Sequence, residues 1–185
     1  MTTDLHEATD RQLVEQIAHG RRDAYEQLLH RQFPAVSRYV QRMLVQAAET
    51  EDIVQEVFLR LWTQANRFDP NLAGVSTWLH RIAHNLCIDH LRQHNRLSGA
   101  TQTVELDGGV EPDNELENTL RKQTVKQALA ALPDRQRSAI ILCHFQELSN
   151  VEAALILDVS IEALESLLAR GRRKLRVLLE DPTCS

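Results

Sequence analysis

Glu51–Ala65 reads EDIVQEVFLRLWTQA, and within it Ile53, Val54, Val57, Phe58, Leu61, Trp62 and Ala65 recur three and four residues apart. At 3.6 residues per turn that spacing gathers them on one face. Asp52, Gln55, Glu56 and Arg60 fall on the outward side, so the stretch predicts an amphipathic helix laid on a core.

The neighbouring sequence continues the pattern. After the loop RFDPNLAGV, Ser76 or Thr77 is expected to cap a helix carrying Trp78, Leu79, Ile82, Ala83, Leu86 and Leu91. Upstream, Asp10 is expected to cap a short helix with Leu13, Val14 and Ile17, stopped at Gly20. Between them runs a longer pattern through Tyr25, Leu28, Leu29, Phe33, Val36, Tyr39, Val40, Met43 and Leu44, which Pro34 should kink or break. Downstream, a helix is expected over Leu116–Leu132, ending at Pro133, followed by another with Ala139, Ile140, Leu142 and Phe145. Ser149 and Glu152 have capping-box spacing and open a short helix. Asp158-Val159-Ser160 then turns into a longer helix from Ile161 to about Leu179, the outline of a helix-turn-helix. Asp158 stands where Gly is usual, and Asp is among the few residues that tolerate the left-handed conformation. The fold expected is all-α, with two small helical domains joined by a linker.

That linker is SGATQTVELDGGVEPDNELE, residues 98–117, with no Lys or Arg and six acids: Glu105, Asp107, Glu111, Asp113, Glu115 and Glu117. Residues 1–97 hold 11 basic and 12 acidic side chains, and residues 118–185 hold 10 and 8. The net charge of −5 therefore comes mostly from one short segment between nearly neutral halves. Of the 185 residues 43% are hydrophobic, enough for a packed core, with only 6 Gly and 5 Pro. No apolar run reaches the ~20 residues of a membrane span, the polar N-terminus is unlike a signal peptide, and no membrane insertion is expected. Cys87, Cys143 and Cys184 form no CxxC pair, which argues against a disulfide framework and for a reducing cytoplasm. No nucleophile–base constellation, P-loop or dinucleotide fingerprint is present, so neither an enzyme nor a cofactor is expected.

Three co-linear segments carry a resemblance. EDIVQEVFLRLW (Glu51–Trp62) resembles the polymerase-clamp-binding helix of the sigma-70 family. RFDPNLAGVSTWLHRIAHNLCIDHLRQ (Arg67–Gln93) resembles its promoter-melting and minus-ten-reading segment. LPDRQRSAIILCHFQELSNVEAALILDVSIEALESLLARGRRKL (Leu132–Leu175) resembles its minus-thirty-five-reading domain. Two domains and no others suggest the extracytoplasmic-function (ECF) subgroup. The resemblance implies a transcription initiation factor whose partners are core RNA polymerase, promoter DNA and an anti-sigma factor. It assigns residues 1–97 to region 2, 98–117 to the linker and 118–185 to region 4. It also implies that Asp52, Gln55, Glu56 and Arg60 dock on the polymerase. Phe68, in the loop where the family captures a flipped base, and Asn85 would read the melted strand, with Arg81, Arg92 and Arg96 on phosphates. Ser166 and Arg170 would face duplex DNA, and Arg172, Arg173 and Lys174 would add phosphate contacts. The chain departs from the family at Cys143, Glu165 and Leu167, where basic residues are common. Glu165 is expected to act mainly by excluding wrong sequences.

Other readings compete with these. Trp62 and Trp78 stand at apolar helical positions and are read as core, with base stacking as the alternative. His80, His84 and Cys87 have i, i+4, i+7 spacing, which suits a metal enzyme. The preferred reading is a mixed polar surface with neutral or weakly cationic histidines near DNA and no metal. A conventional helix-turn-helix regulator would explain the second half but leave EDIVQEVFLRLW unexplained.

Overall fold

A computed structural model of the chain describes residues 7–44, 47–97 and 115–180. Regular structure among them is helical: α1 (Asp10–Ala18), α2 (Arg22–Met43), α3 (Ala47–Gln64), a 3₁₀ turn (Ala65–Arg67), α4 (Val75–Leu97), α5 (Glu115–Ala130), α6 (Asp134–Ile140), a π-helical turn (Ile141–Phe145), α7 (Asn150–Leu157) and α8 (Ile161–Glu180). α5 starts at Glu115, inside the stretch read as linker; the acids Glu105, Asp107, Glu111 and Asp113 lie outside the described residues.

Local chemistry sets most of the boundaries. Thr9, not Asp10, caps α1: its backbone N–H donates to Gln12 Oε1 at 2.8 Å and its hydroxyl accepts from the Gln12 N–H at 3.3 Å. Asp10 opens the helix instead, and its carboxylate accepts from Arg31 and Gln32 of α2. Gly20, at φ +81°, makes the left-handed turn into α2. α2 then runs unbroken through Pro34, contrary to the expected kink or break. An internal Pro costs a helix about 3 kcal/mol. Val36, Tyr39, Val40 and Met43, all fully buried beyond it, hold the second half in line. α4 begins at Val75, so neither Ser76 nor Thr77 is its cap. In the second half, Ser149 and Glu152 close the expected capping box. Asp158 takes the left-handed conformation (φ 52°, ψ 55°) in the turn before α8.

α1–α4 form one bundle, with Leu28, Val57, Leu61 and Leu79 fully buried. α6–α8 form a second body around Ile140, Ile156 and Leu164. α8 approaches α6 closely at Gly171, where an added Cβ would lie 3.0 Å from Ile140 Cγ1.

The two bodies share a polar seam. The Met43 carbonyl, at the end of α2, accepts from Arg137 Nη1 of α6 at 2.8 Å. The same guanidinium pairs with Asp134 and is 5% exposed. Ser138 Oγ lies 3.4 Å from Met43 Sδ. Thr77 of α4 donates to Glu152 Oε1 of α7 at 3.1 Å. Arg42 of α2 stacks over the Phe145 ring, 4.7 Å from its centre. A buried charge left alone would be severely penalised, so Arg137 depends on these partners in the docked arrangement.

Candidate nucleic-acid interface

Arg81, Asn85, Arg92 and Arg96 are all exposed on α4. At 100° per residue they fall within an arc of about 60°, so three guanidiniums and one amide form a single stripe. Near its N-terminal end Phe68, half-buried, packs against Trp78 with ring centres 5.3 Å apart. Trp62 packs edge-on against Tyr25 at 5.4 Å. Both tryptophans are half-buried against the core, which favours the core reading over free stacking platforms. Arg92 is 3.9 Å from Asp89, an exposed and therefore weak pair.

On α3 the predicted phase holds. Ile53, Val57, Phe58 and Leu61 are buried, while Asp52 and Gln55 are exposed. Glu56 and Arg60 are half-buried and bind each other at 2.8 Å. Between Gln55 and Arg60 on the outer side stands Leu59, 54% exposed, which the apolar periodicity did not single out. It borders an apolar groove of about 1460 Å³, lined by α2 and α3 on one side and by Val125, Leu129 and Phe145 on the other. No sequence motif announces that groove, because its walls come from distant segments.

On α8 the expected DNA residues do not all share a face. Ser166, Arg170 and Arg173 lie within about 60° of one another, and Lys174 lies beside them. All four are exposed. Arg170 Nε donates to the Ser166 carbonyl at 3.1 Å, which steadies the guanidinium. Arg172 points about 160° away from Arg170 and donates to His144 Nε2 at 3.0 Å. Glu165 is exposed, about 140° from Arg170, whereas Leu167 is half-buried against the core.

The histidine reading needs correction. His80 and His84 are not surface residues: they are 1% and 9% exposed, packed between α4 and the second body. His80 Nδ1–H donates to the Ser76 carbonyl at 2.8 Å. His84 Nδ1 shares a 3.0 Å hydrogen bond with the Tyr39 hydroxyl. Burial lowers the pKa of His80 and takes that of His84 down to about 4, so both rings are neutral at pH 7. Burial also pushes the Cys87 thiol up to about 12. Among the described residues no three His, Cys, Asp or Glu side chains are grouped to hold a metal ion.

Two helical bodies, one ending in a helix-turn-helix and the other bearing an arginine–amide stripe, define a class: a two-domain DNA-binding protein. Family comparison narrows it. Residues 28–97 match sigma-70 region 2, and residues 122–175 match sigma-70 region 4. The ECF RNA polymerase sigma factor SigW of Bacillus subtilis is 31% identical over 179 residues, covering 91% of this chain and 95% of that protein. The RNA polymerase sigma factor CnrH of Cupriavidus metallidurans is 31% identical over 184 residues, covering 94% and 96%. The solved structure of CnrH in complex with the cytosolic domain of CnrY superposes with a TM-score of 0.74 at 27% identity, covering 94% of this chain and 99% of that one. The chain belongs to the sigma-70 family of RNA polymerase sigma factors, in its ECF group. As such it directs RNA polymerase to promoters.

Proposed function

We propose that the α4 stripe holds the melted minus-ten strand, that Ser166, Arg170, Arg173 and Lys174 of α8 meet the minus-thirty-five duplex, and that Asp52, Gln55, Glu56 and Arg60 of α3 dock on the polymerase clamp. The observation that carries this reading is the alignment of Arg81, Asn85, Arg92 and Arg96 in one exposed line. Cations spaced along a helix track phosphates, and an amide among them can pair with an unstacked base edge. Arg172 belongs to the same basic run, but its bond to His144 suits a supporting role in the helix-turn-helix.

In this reading the protein acts in the cytoplasm and has no catalytic activity of its own. An anti-sigma factor holds it off the polymerase until a signal releases it. Two relatives support that part: CnrH was solved with the cytosolic domain of CnrY, and the sigma factor RpoE of Bartonella quintana with the anti-sigma factor NepR. The RpoE structure has a TM-score of 0.69 at 25% identity. The groove beside Gln55 and Leu59 is the surface such a partner would cover together with the docking face.

The test is Asn85→Ala in run-off transcription with core polymerase. Losing a base-edge contact worth roughly 1–3 kcal/mol should reduce open complexes about fivefold or more, with closed-complex affinity little changed. Equal permanganate reactivity of promoter thymines for mutant and wild type would refute the strand-reading role. Reversing the charges of Asp52 and Glu56 together should weaken capture of core polymerase while circular dichroism stays the same.

A further inference from the structure

We propose that the seam between the two bodies is an acid-released latch: the neutral imidazoles of His80 and His84 hold region 4 against region 2, and protonating them parts the two.

Both rings are almost fully buried on α4; His84 lines a cleft shared with α6, and Glu152 of α7 is close enough to act on the charge of His80. His84 meets the Tyr39 hydroxyl of α2 and lines a polar cleft of about 570 Å³. Around that cleft stand Arg60 of α3, Asn85, Asp89 and Arg92 of α4, Asp134 and Arg135 of α6, and Asp158 of the helix-turn-helix turn. Arg135 and Arg92 disfavour a charge on His84, and Asp134 favours it; burial outweighs all three. His80 packs edge-on to the Tyr39 ring at 5.6 Å, with Gln146, just past the π turn, and Glu152 of α7 acting on it from the second body. With Nδ1–H committed to the Ser76 carbonyl, a proton added at Nε2 of His80 enters a buried site. Gln146 and Glu152 favour that proton, but not enough to offset burial.

The sign follows. The docked state depresses both histidine pKa values, so the separated state binds protons more readily. Docking is fully favoured above the ordinary histidine value of about 6.5 and weakens as pH falls toward about 4. If separation returns His84 to its ordinary value, the open-to-docked ratio rises about tenfold between pH 7.5 and 5.5, and His80 adds to that.

Separation matters because the docked form cannot span a promoter. Elements centred about 25 base pairs apart are roughly 85 Å apart along B-DNA, whereas α4 here packs directly on α7. Asn85 and Arg92 share their cleft with Leu157 and Asp158. This consequence rests on the roles proposed above for α4 and α8; the acid release itself does not.

The experiment places a donor and an acceptor dye, through non-natural residues, at exposed Glu26 and Val177 of the full chain. Single-molecule transfer efficiency is read at pH 7.5 and 5.5 without polymerase or DNA. Wild type is compared with Arg137→Met, which loosens the seam so that both states are populated, and with His80→Gln/His84→Gln in each background. The expected result is a tenfold or larger gain in the open population at pH 5.5, with unchanged helical circular dichroism, abolished in the double-Gln proteins. If a double-Gln protein loses helicity, the two single variants replace it, each removing part of the response. The proposal is overturned if the populations ignore pH in both backgrounds, if the response survives replacement of both histidines, or if separation comes with loss of helix. Failure of Asn85→Ala to affect melting would leave this result standing, so the two readings fail separately.

Discussion

α4 and α8 have similar lengths, 23 and 20 residues, and each carries exposed cations. They are built into the molecule in opposite ways. α4 is enclosed by α2, α3 and α7, and even its polar Thr77, His80 and His84 are buried. α8 rests on α5, α6 and α7 and buries only Leu164, Leu168 and Gly171. A helix that must hold single-stranded DNA has no duplex to lean on, and rigidity has to come from the protein. A helix that enters a major groove needs a bare face and takes its order from the groove. On the roles proposed above, docking would obstruct α4, whose Asn85 and Arg92 share a cleft with Leu157 and Asp158, more than α8.

The contrast predicts that α8 is the easier helix to detach. Leu164→Ala removes one of two fully or nearly buried leucines on α8 and should cost about 3 kcal/mol. Urea unfolding would show an early transition confined to region 4, with minus-thirty-five duplex affinity lost in parallel. A single unshifted transition would break the comparison. Gly171→Ala is a milder probe of the same contact. The new methyl meets Ile140 Cγ1 at 3.0 Å, so overpacking should outweigh the gain in helix propensity and leave a net loss of about 1 kcal/mol. A rise in melting temperature would mean that α6 yields at that point. The smallest change expected is Asp158→Gly. At φ 52° glycine is free of the side-chain strain, which should stabilise region 4 by about 0.5 kcal/mol, while Asp158→Ala should have the opposite sign.

The sequence makes local features readable and leaves distant ones hidden. The face of α3, the Ser149–Glu152 box and the left-handed Asp158 depend on residues a few positions apart, and each is found where expected. The break at Pro34 is not, because burial beyond the proline outweighs a local penalty. Thr9 takes the cap through a local box with Gln12, three positions on, while Arg31 and Gln32, 21 and 22 positions away, engage the Asp10 carboxylate. The histidine spacing on α4 is plain, but the second body that packs against it begins with Asp134, 50 residues beyond His84. Arg137 offers a similar case: nothing near it in sequence suggests a partner 94 positions back. The cation stripe on α4 was legible as residue types. That Arg172 departs from the face of Arg170 follows from helix phase, and its bond to His144, 28 residues away, does not.

The Met43–Arg137 contact has one more consequence, in calorimetry. The last carbonyls of a helix need partners, and one at the end of α2 takes its partner from the other body. Melting either body then uncaps or unpairs the other, so heat should be absorbed in one shared transition at neutral pH. Weakening that single bond should split the endotherm into two, with the lower one belonging to the body that keeps the smaller core.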